Sequence, residues 1–213
     1  FIITFVNGGI TGLFLGNVTV DLPLSDTYFV VGHFHMVMGV SPILVVFGAI
    51  YHWYPKISGR MWNERLGKAH FWLTFLGTYA IYLPMHYLGI LGVPRRYYAL
   101  GDTAFIPDSV HSINAAITIA ALIVAAAQVI FLYNVIVSLK KGAKAPPNPW
   151  KATTLEWQTP DTPPHHGNWG PKLPVVHRWA YDYSVPGAKD DFIPQNEPVD
   201  PKLGAGRDHG KKH

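Results

Sequence analysis

The sequence contains no cysteine. That absence excludes a disulfide framework and a thiolate metal site, so any metal must be held by histidine or carboxylate. Charge is missing over four long stretches: Phe1–Val20, Tyr28–Trp53, Ala69–Pro94 and Ser109–Leu139 contain no Asp, Glu, Lys or Arg. The second runs for 26 residues, longer than the roughly 20 apolar residues that cross a bilayer's hydrocarbon as a helix. An all-α polytopic membrane protein is expected, with four transmembrane helices at about 1–18, 27–53, 68–92 and 109–139 making up a domain over 1–139. The chain opens on Phe1 without a methionine, a basic leader or a small-residue cleavage site. It reads as the back part of a longer polypeptide, or as the partner of a separate front half.

After Leu139 the character changes, because 12 of the 18 prolines lie there and apolar periodicity stops. Residues 140–213 read as an extended Pro-rich tail. The formal charge of +4 could suit a nucleic acid, but the cations flank the apolar stretches or sit in the tail instead of clustering as a patch. Nucleic acid is therefore excluded as a partner.

Cation placement orients the spans. The loop Lys56–Lys68 holds four cations and one acid, and Lys140-Lys141-Gly142-Ala143-Lys144 is basic too; the positive-inside rule puts both, and the tail, on the cytoplasmic side. The loop Val20–Asp26 has only acids and falls outside. Arg95-Arg96 breaks this pattern by placing two cations on the outer side. Either they snorkel to lipid phosphates or they meet an anion there.

Two histidines, His33 and His35, stand in the middle of the second apolar run. Residues i and i+2 of an α-helix point about 200° apart, so the two cannot chelate one ion together. Each needs its own partner, with Phe34 between the two directions. A single intramembrane histidine is commonly a packed, hydrogen-bonded core residue, but two on opposite faces fit a helix wedged between two haems, giving one axial ligand to each. Haem propionates cannot stay charged in hydrocarbon and must lie toward a surface. Arg95 and Arg96 are suited to receive them, since guanidinium forks pair with carboxylates. Asp26 and Asp21 have two open readings: ordinary interfacial capping, with Asp26 as N-cap of the helix starting near Thr27, or a hard-cation and proton-exit site.

The run from Asp21 to His35, His52-Trp53-Tyr54-Pro55-Lys56 with Gly59-Arg60, Pro94-Arg95-Arg96-Tyr97 and Leu155-Glu156-Trp157 together resemble catalytic subunit I of the haem-copper oxygen reductases, in the cytochrome c oxidase branch. The resemblance runs in order from Gly8 to about Trp157. It implies the last four helices of a twelve-helix bundle. His33 would be the proximal ligand of the high-spin, oxygen-binding haem and the catalytic residue, and His35 an axial ligand of the low-spin haem. Phe34 would lie on the electron path, Arg95 and Arg96 would hold propionates, and Asp21 would act beside a propionate at the proton exit. Asp26 would help bind magnesium. Ser25 departs from the histidine that often precedes that aspartate in the family, and a hydroxyl is a poorer ligand.

Further implications follow from the same resemblance. The cofactors would be two haems, with a type favoured, together with copper, whose ligands lie outside this chain. Its partners would be the N-terminal part of the same subunit, oxidase subunits II and III, cytochrome c as electron donor, and membrane lipid. A bacterial plasma membrane fits better than a mitochondrial inner membrane. The rivals are a nitric oxide reductase or quinol oxidase of the same superfamily, and a haem-free transporter or structural subunit. His165-His166 reads as surface histidine in a segment without a preorganised site, and Gly204–His213, with Arg207, Lys211 and Lys212, as a basic inner end.

Overall fold

The computed structural model describes residues 1–97, 107–165 and 168–198. His166 and the basic end Gly204–His213 lie outside the described residues. Within them the chain is helical, with no strand beyond the isolated bridges Thr27 to Pro94 and Arg60 to Lys144. It divides into two compact units, Phe1–Tyr51 with Asn63–Val137, and His52–Trp62 with Ser138–His213.

In the first unit α1 (Ile2–Leu15) ends at Gly16, and α2 (Val18–Leu24) leaves it at 101°, capped by Asn17, whose side chain accepts from Thr19 N. The charge-free run expected to hold a span at about 1–18 thus bends near that span's end, at Gly16–Asn17. The bend has a local cause: Asn17 in extended conformation caps the new helix instead of continuing the old one.

The histidine helix starts at α3 (Tyr28–Phe34), continues as a π-helical turn over His35–Val40, and resumes as α4 (Ser41–Ser58). Its N-cap is Thr27, whose hydroxyl accepts from Phe29 N at 3.2 Å and donates to Leu24 O at 2.7 Å. Asp26 is not the cap; it sits one residue earlier at φ 61°. The π-turn follows from Pro42, which has no N–H for a carbonyl one turn back and whose ring crowds it. Ser41 Oγ donates to Met36 O at 2.6 Å, occupying one of the displaced carbonyls.

Helix α5 (Glu64–Ile90) is capped by Asn63, and α6 (Ser109–Lys141) packs against it. Asn134, 1% exposed, both accepts from Asn63 N and donates to Asn63 O, tying α6 to the start of α5. Lys68 bonds Glu64 one turn before it and holds that carboxyl below its ordinary range. The core gathers Ile81, Leu88, Val93, Val110, Ile117 and Ala120. Among the described residues two helices are long and apolar enough to cross a membrane, Tyr28–Ser58 and Ser109–Lys141, with α1 and α2 making a third if the bent pair counts as one. Helix α5 has the length but carries His70, Thr74, Thr78 and His86 along its buried side.

The second unit has little regular structure, yet it is knit together. Arg178 donates to Glu197 O and Pro198 O, and Gln195 N donates to Thr153 O. His52-Trp53-Tyr54-Pro55-Lys56 meets Leu155-Glu156-Trp157 here. Lys56 Nζ lies 5.2 Å from the Trp157 ring centroid and donates to Thr159 Oγ1 at 2.6 Å, while His52 packs edge-on against Trp157. Trp157 is 1% exposed. Truncating such a side chain costs about 3–5 kcal/mol. Trp157→Ala should therefore make the segment after Ala145 cleavable in limited proteolysis while α5 and α6 stay protected; an unchanged cleavage pattern would show that the ring does not hold this unit.

Candidate functional site

His33 and His35 leave one helix but are held by different neighbours. The His33 Nδ1 lies 2.8 Å from Gly8 O and 3.1 Å from Thr11 Oγ1, both on α1. A carbonyl oxygen only accepts, so Nδ1 carries the proton and Nε2 keeps its lone pair. His35 Nδ1 is 2.9 Å from Val31 O, one turn back in its own helix, with the same consequence. A second ring nitrogen tied to a carbonyl is the usual state of a metal-ligating imidazole. Space is reserved as well. A Cβ on Gly12 would come within 2.9 Å of His33 Cε1, and one on Gly39 within 3.0 Å of His35 Cδ2. Each of those carbons adjoins Nε2, so a glycine clears the flank of both lone pairs. Phe34 is 38% exposed, and its ring lies 4.1 Å from that of His35.

The loop after α5 is laced to the start of the same histidine helix. Tyr28 N donates to Val93 O at 3.0 Å, and Arg95 N donates to Asp26 O at 2.8 Å. Arg95 also reaches the Asp26 carboxylate, through Nε at 2.9 Å and through its terminal nitrogen. Expected to meet an anion and a hard cation respectively, Arg95 and Asp26 are joined to each other in the fold. Exposure of Asp26 keeps the pair weak, of order 1 kcal/mol or less. Arg96, at φ 68°, is exposed and has no ion-pair partner among the described residues. Asp21 lies on α2, half-buried.

Residues 1–123 match the family model for cytochrome C and Quinol oxidase polypeptide I. The chain belongs to this oxidase polypeptide I family. It is 71% identical over 205 residues to the alternative cytochrome c oxidase subunit 1 of Bradyrhizobium diazoefficiens, covering 96% of this chain and 34% of that protein. Against cytochrome c oxidase subunit 1 of Synechocystis the identity is 45% over 185 residues, with 87% and 32% covered. The chain thus spans about a third of the length of the curated relatives it matches. A solved heme-copper terminal oxidase dimer shares its fold, with TM-score 0.57 and 21% identity over 68% of this chain and 26% of that one.

Membership of the oxidase family implies haem and copper, and the residues present can be tested for each. The two free Nε2 lone pairs flanked by glycine fit haem iron. Copper is different: no group of three or more His, Cys, Asp or Glu able to hold a metal ion exists among the described residues. Asp26, engaged by Arg95, is not part of such a cluster either.

Two residues of this oxidase chain escaped the sequence reading. Tyr82 stacks on the His35 ring at 4.7 Å and 12°. His86, 8% exposed, bonds Tyr82 O through Nδ1 at 2.7 Å, fills the space over Gly32, and leaves Nε2 without a hydrogen-bond partner. The signal was present: His86, like His33, is an ionisable group in a charge-free run. What hid it was the lack of any motif pairing it with the helix of His33 and His35.

Proposed function

We propose that this chain supplies the haem-ligand helix of a proton-pumping terminal oxidase, which reduces dioxygen to water with electrons from cytochrome c in a bacterial plasma membrane. The observation that carries this reading is the pair of imidazoles with Nδ1 tied to carbonyls and Nε2 free on opposite sides of one apolar helix. His33 would hold the oxygen-binding haem through Nε2 and is the proposed catalytic residue. His35 would bind the low-spin haem. When bound, the haems supply the redox chemistry.

The chain's own residues orient and insulate that chemistry. Phe34 separates the two ligands, Arg95 and Arg96 neutralise propionates at the helix start, and Asp21 takes a proton-exit position beside them. Asp26, engaged by Arg95, holds the loop after α5 against the start of the histidine helix and does not fit a magnesium site. An apolar cavity of about 340 Å3 opens beside Tyr82, lined by Val40, Ile43, Leu44, Phe47 and Val124; its volume suits the long apolar substituent of an a-type haem. Four spans, with α5 inside the bundle where its polar side is covered, would join the N-terminal part of the subunit and subunits II and III. Copper would come with that N-terminal part.

The test is a reduced-minus-oxidised spectrum of the purified complex with and without carbon monoxide. Two haem populations, only one shifted by carbon monoxide, are expected; a complex without haem bands would overturn the reading. Turnover with reduced cytochrome c and not with quinol selects the donor within the family.

A further inference from the structure

His35 and His33 differ in what fixes their ring planes. His33 has two hydrogen-bonding partners on a neighbouring helix. His35 has one, a carbonyl of its own helix. The χ2 torsion of histidine is broad, so a single hydrogen bond at Nδ1 leaves the imidazole free to rock. The ring's face decides the rest. Tyr82 lies nearly parallel to it, at 12°, whereas Phe34 meets it at 39°.

Tyr82 is brought there by the register of α5 against α3. The helices run antiparallel, and three contacts step along them: Gly89 on Phe29, His86 over Gly32, Tyr82 on His35. His86 locks the middle step. Its ring lies within 2.8 Å of where a Gly32 Cβ would be, and its Nδ1 bonds Tyr82 O, so a slip of either helix would pull Tyr82 off the imidazole.

We propose that Tyr82 is a positioning residue that sets the rotation of the His35 imidazole about its bond to iron, and through it the electronic character of the low-spin haem. This rests on the haem-ligand reading above. An imidazole donates π density in the direction perpendicular to its plane, so its rotation selects which iron orbital it perturbs. Hydrogen bonding and packing around an axial ligand are among the levers a protein has on haem potential. The stack supplies orientation without a charge, which suits a ligand in low dielectric.

The experiment compares Tyr82→Leu and Tyr82→Phe in the complete oxidase complex. It reads the g-values of the oxidised low-spin haem by electron paramagnetic resonance and its reduction equilibrium by spectroelectrochemistry. Tyr82→Leu is expected to change the g-value spread and to move the equilibrium constant by up to about tenfold, 59 mV for a one-electron couple. Tyr82→Phe keeps the ring and should match the unmodified complex in both. The carbon monoxide spectrum of the other haem should not change in either.

Unaltered g-values and potential in Tyr82→Leu, with haem content intact, overturn the proposal. If that variant does not assemble, Gly39→Ala crowds the same imidazole at its Cδ2, where a Cβ would stand 3.0 Å away, and displaces it by a few tenths of an ångström. It should alter the g-values too, and an unaltered spectrum there also overturns the proposal. A missing low-spin signal in the unmodified complex would refute the haem-ligand reading itself, whereas a signal present but unmoved refutes only the role of Tyr82.

Discussion

Replacing His33 with alanine is expected to abolish oxygen reduction and the carbon monoxide-induced spectral shift while leaving the low-spin haem band in place. The asymmetry follows from the geometry. His33 is attached to α1 through Gly8 O and Thr11 Oγ1, His35 to Val31 O within its own helix, and the two share no hydrogen bond. Loss of one imidazole therefore leaves the anchoring of the other intact. A graded control lies beside it. Thr11→Val removes one of the two acceptors at His33 Nδ1 and retains Gly8 O, so its effect should stay within the roughly 10–100-fold range typical of a partner that supports a metal ligand. The measurement is oxygen uptake with the carbon monoxide difference spectrum on the same preparation. Activity surviving in His33→Ala, or a low-spin band lost with it, would sink the assignment.

Gly89→Ala is expected to have the largest structural effect. A Cβ there would stand 2.2 Å from Phe29 N, 2.5 Å from Phe29 Cβ and 2.6 Å from Phe29 Cα. Carbon atoms pack at about 3.5–4.0 Å, so α3 and α5 would have to part by more than an ångström. No rotamer relieves the clash, because two of the three atoms are backbone. The sign is diagnostic as well, since within a helix alanine is favoured over glycine by about 1 kcal/mol, whereas overpacking commonly costs 1–3 kcal/mol.

Separation of α3 from α5 would also strain the bonds from Tyr28 N to Val93 O and from Arg95 N to Asp26 O, which hold the guanidinium over the ligand helix. The yield of complex retaining both haem bands after detergent extraction should fall sharply, and its melting temperature by several degrees. A stable complex with normal yield would mean that the helices do not meet this closely.

The chain's class and its pair of opposed histidines were legible before any fold. Runs without charge longer than a bilayer's hydrocarbon leave few alternatives to helices in a membrane, and an i, i+2 spacing on a helix puts two imidazoles on opposite faces regardless of what surrounds them. The two guanidiniums at Arg95 and Arg96 were legible as out of place. The partner of Arg95 was not, because Asp26 lies 69 residues away and only the antiparallel packing of α3 and α5 brings the loop back over it.

Local chemistry sufficed for some further features that periodicity alone obscured. The turn at Asn17 and the π-helix before Pro42 both have causes within a few residues, yet an unbroken apolar run conceals them. Composition likewise described the region after Lys141 by its prolines, whereas its organisation depends on Trp157 and Arg178 finding partners far along the chain.

By itself, then, the sequence determined that this protein is helical, lies in a membrane and presents two imidazoles in opposite directions, since these depend on hydropathy and on spacing along one helix. Tertiary structure alone decided which nitrogen of His33 is free, which ring lies on His35, and that Arg95 and Asp26 meet. Those are contacts between helices, where one residue of register changes every neighbour, and no local pattern specifies a register.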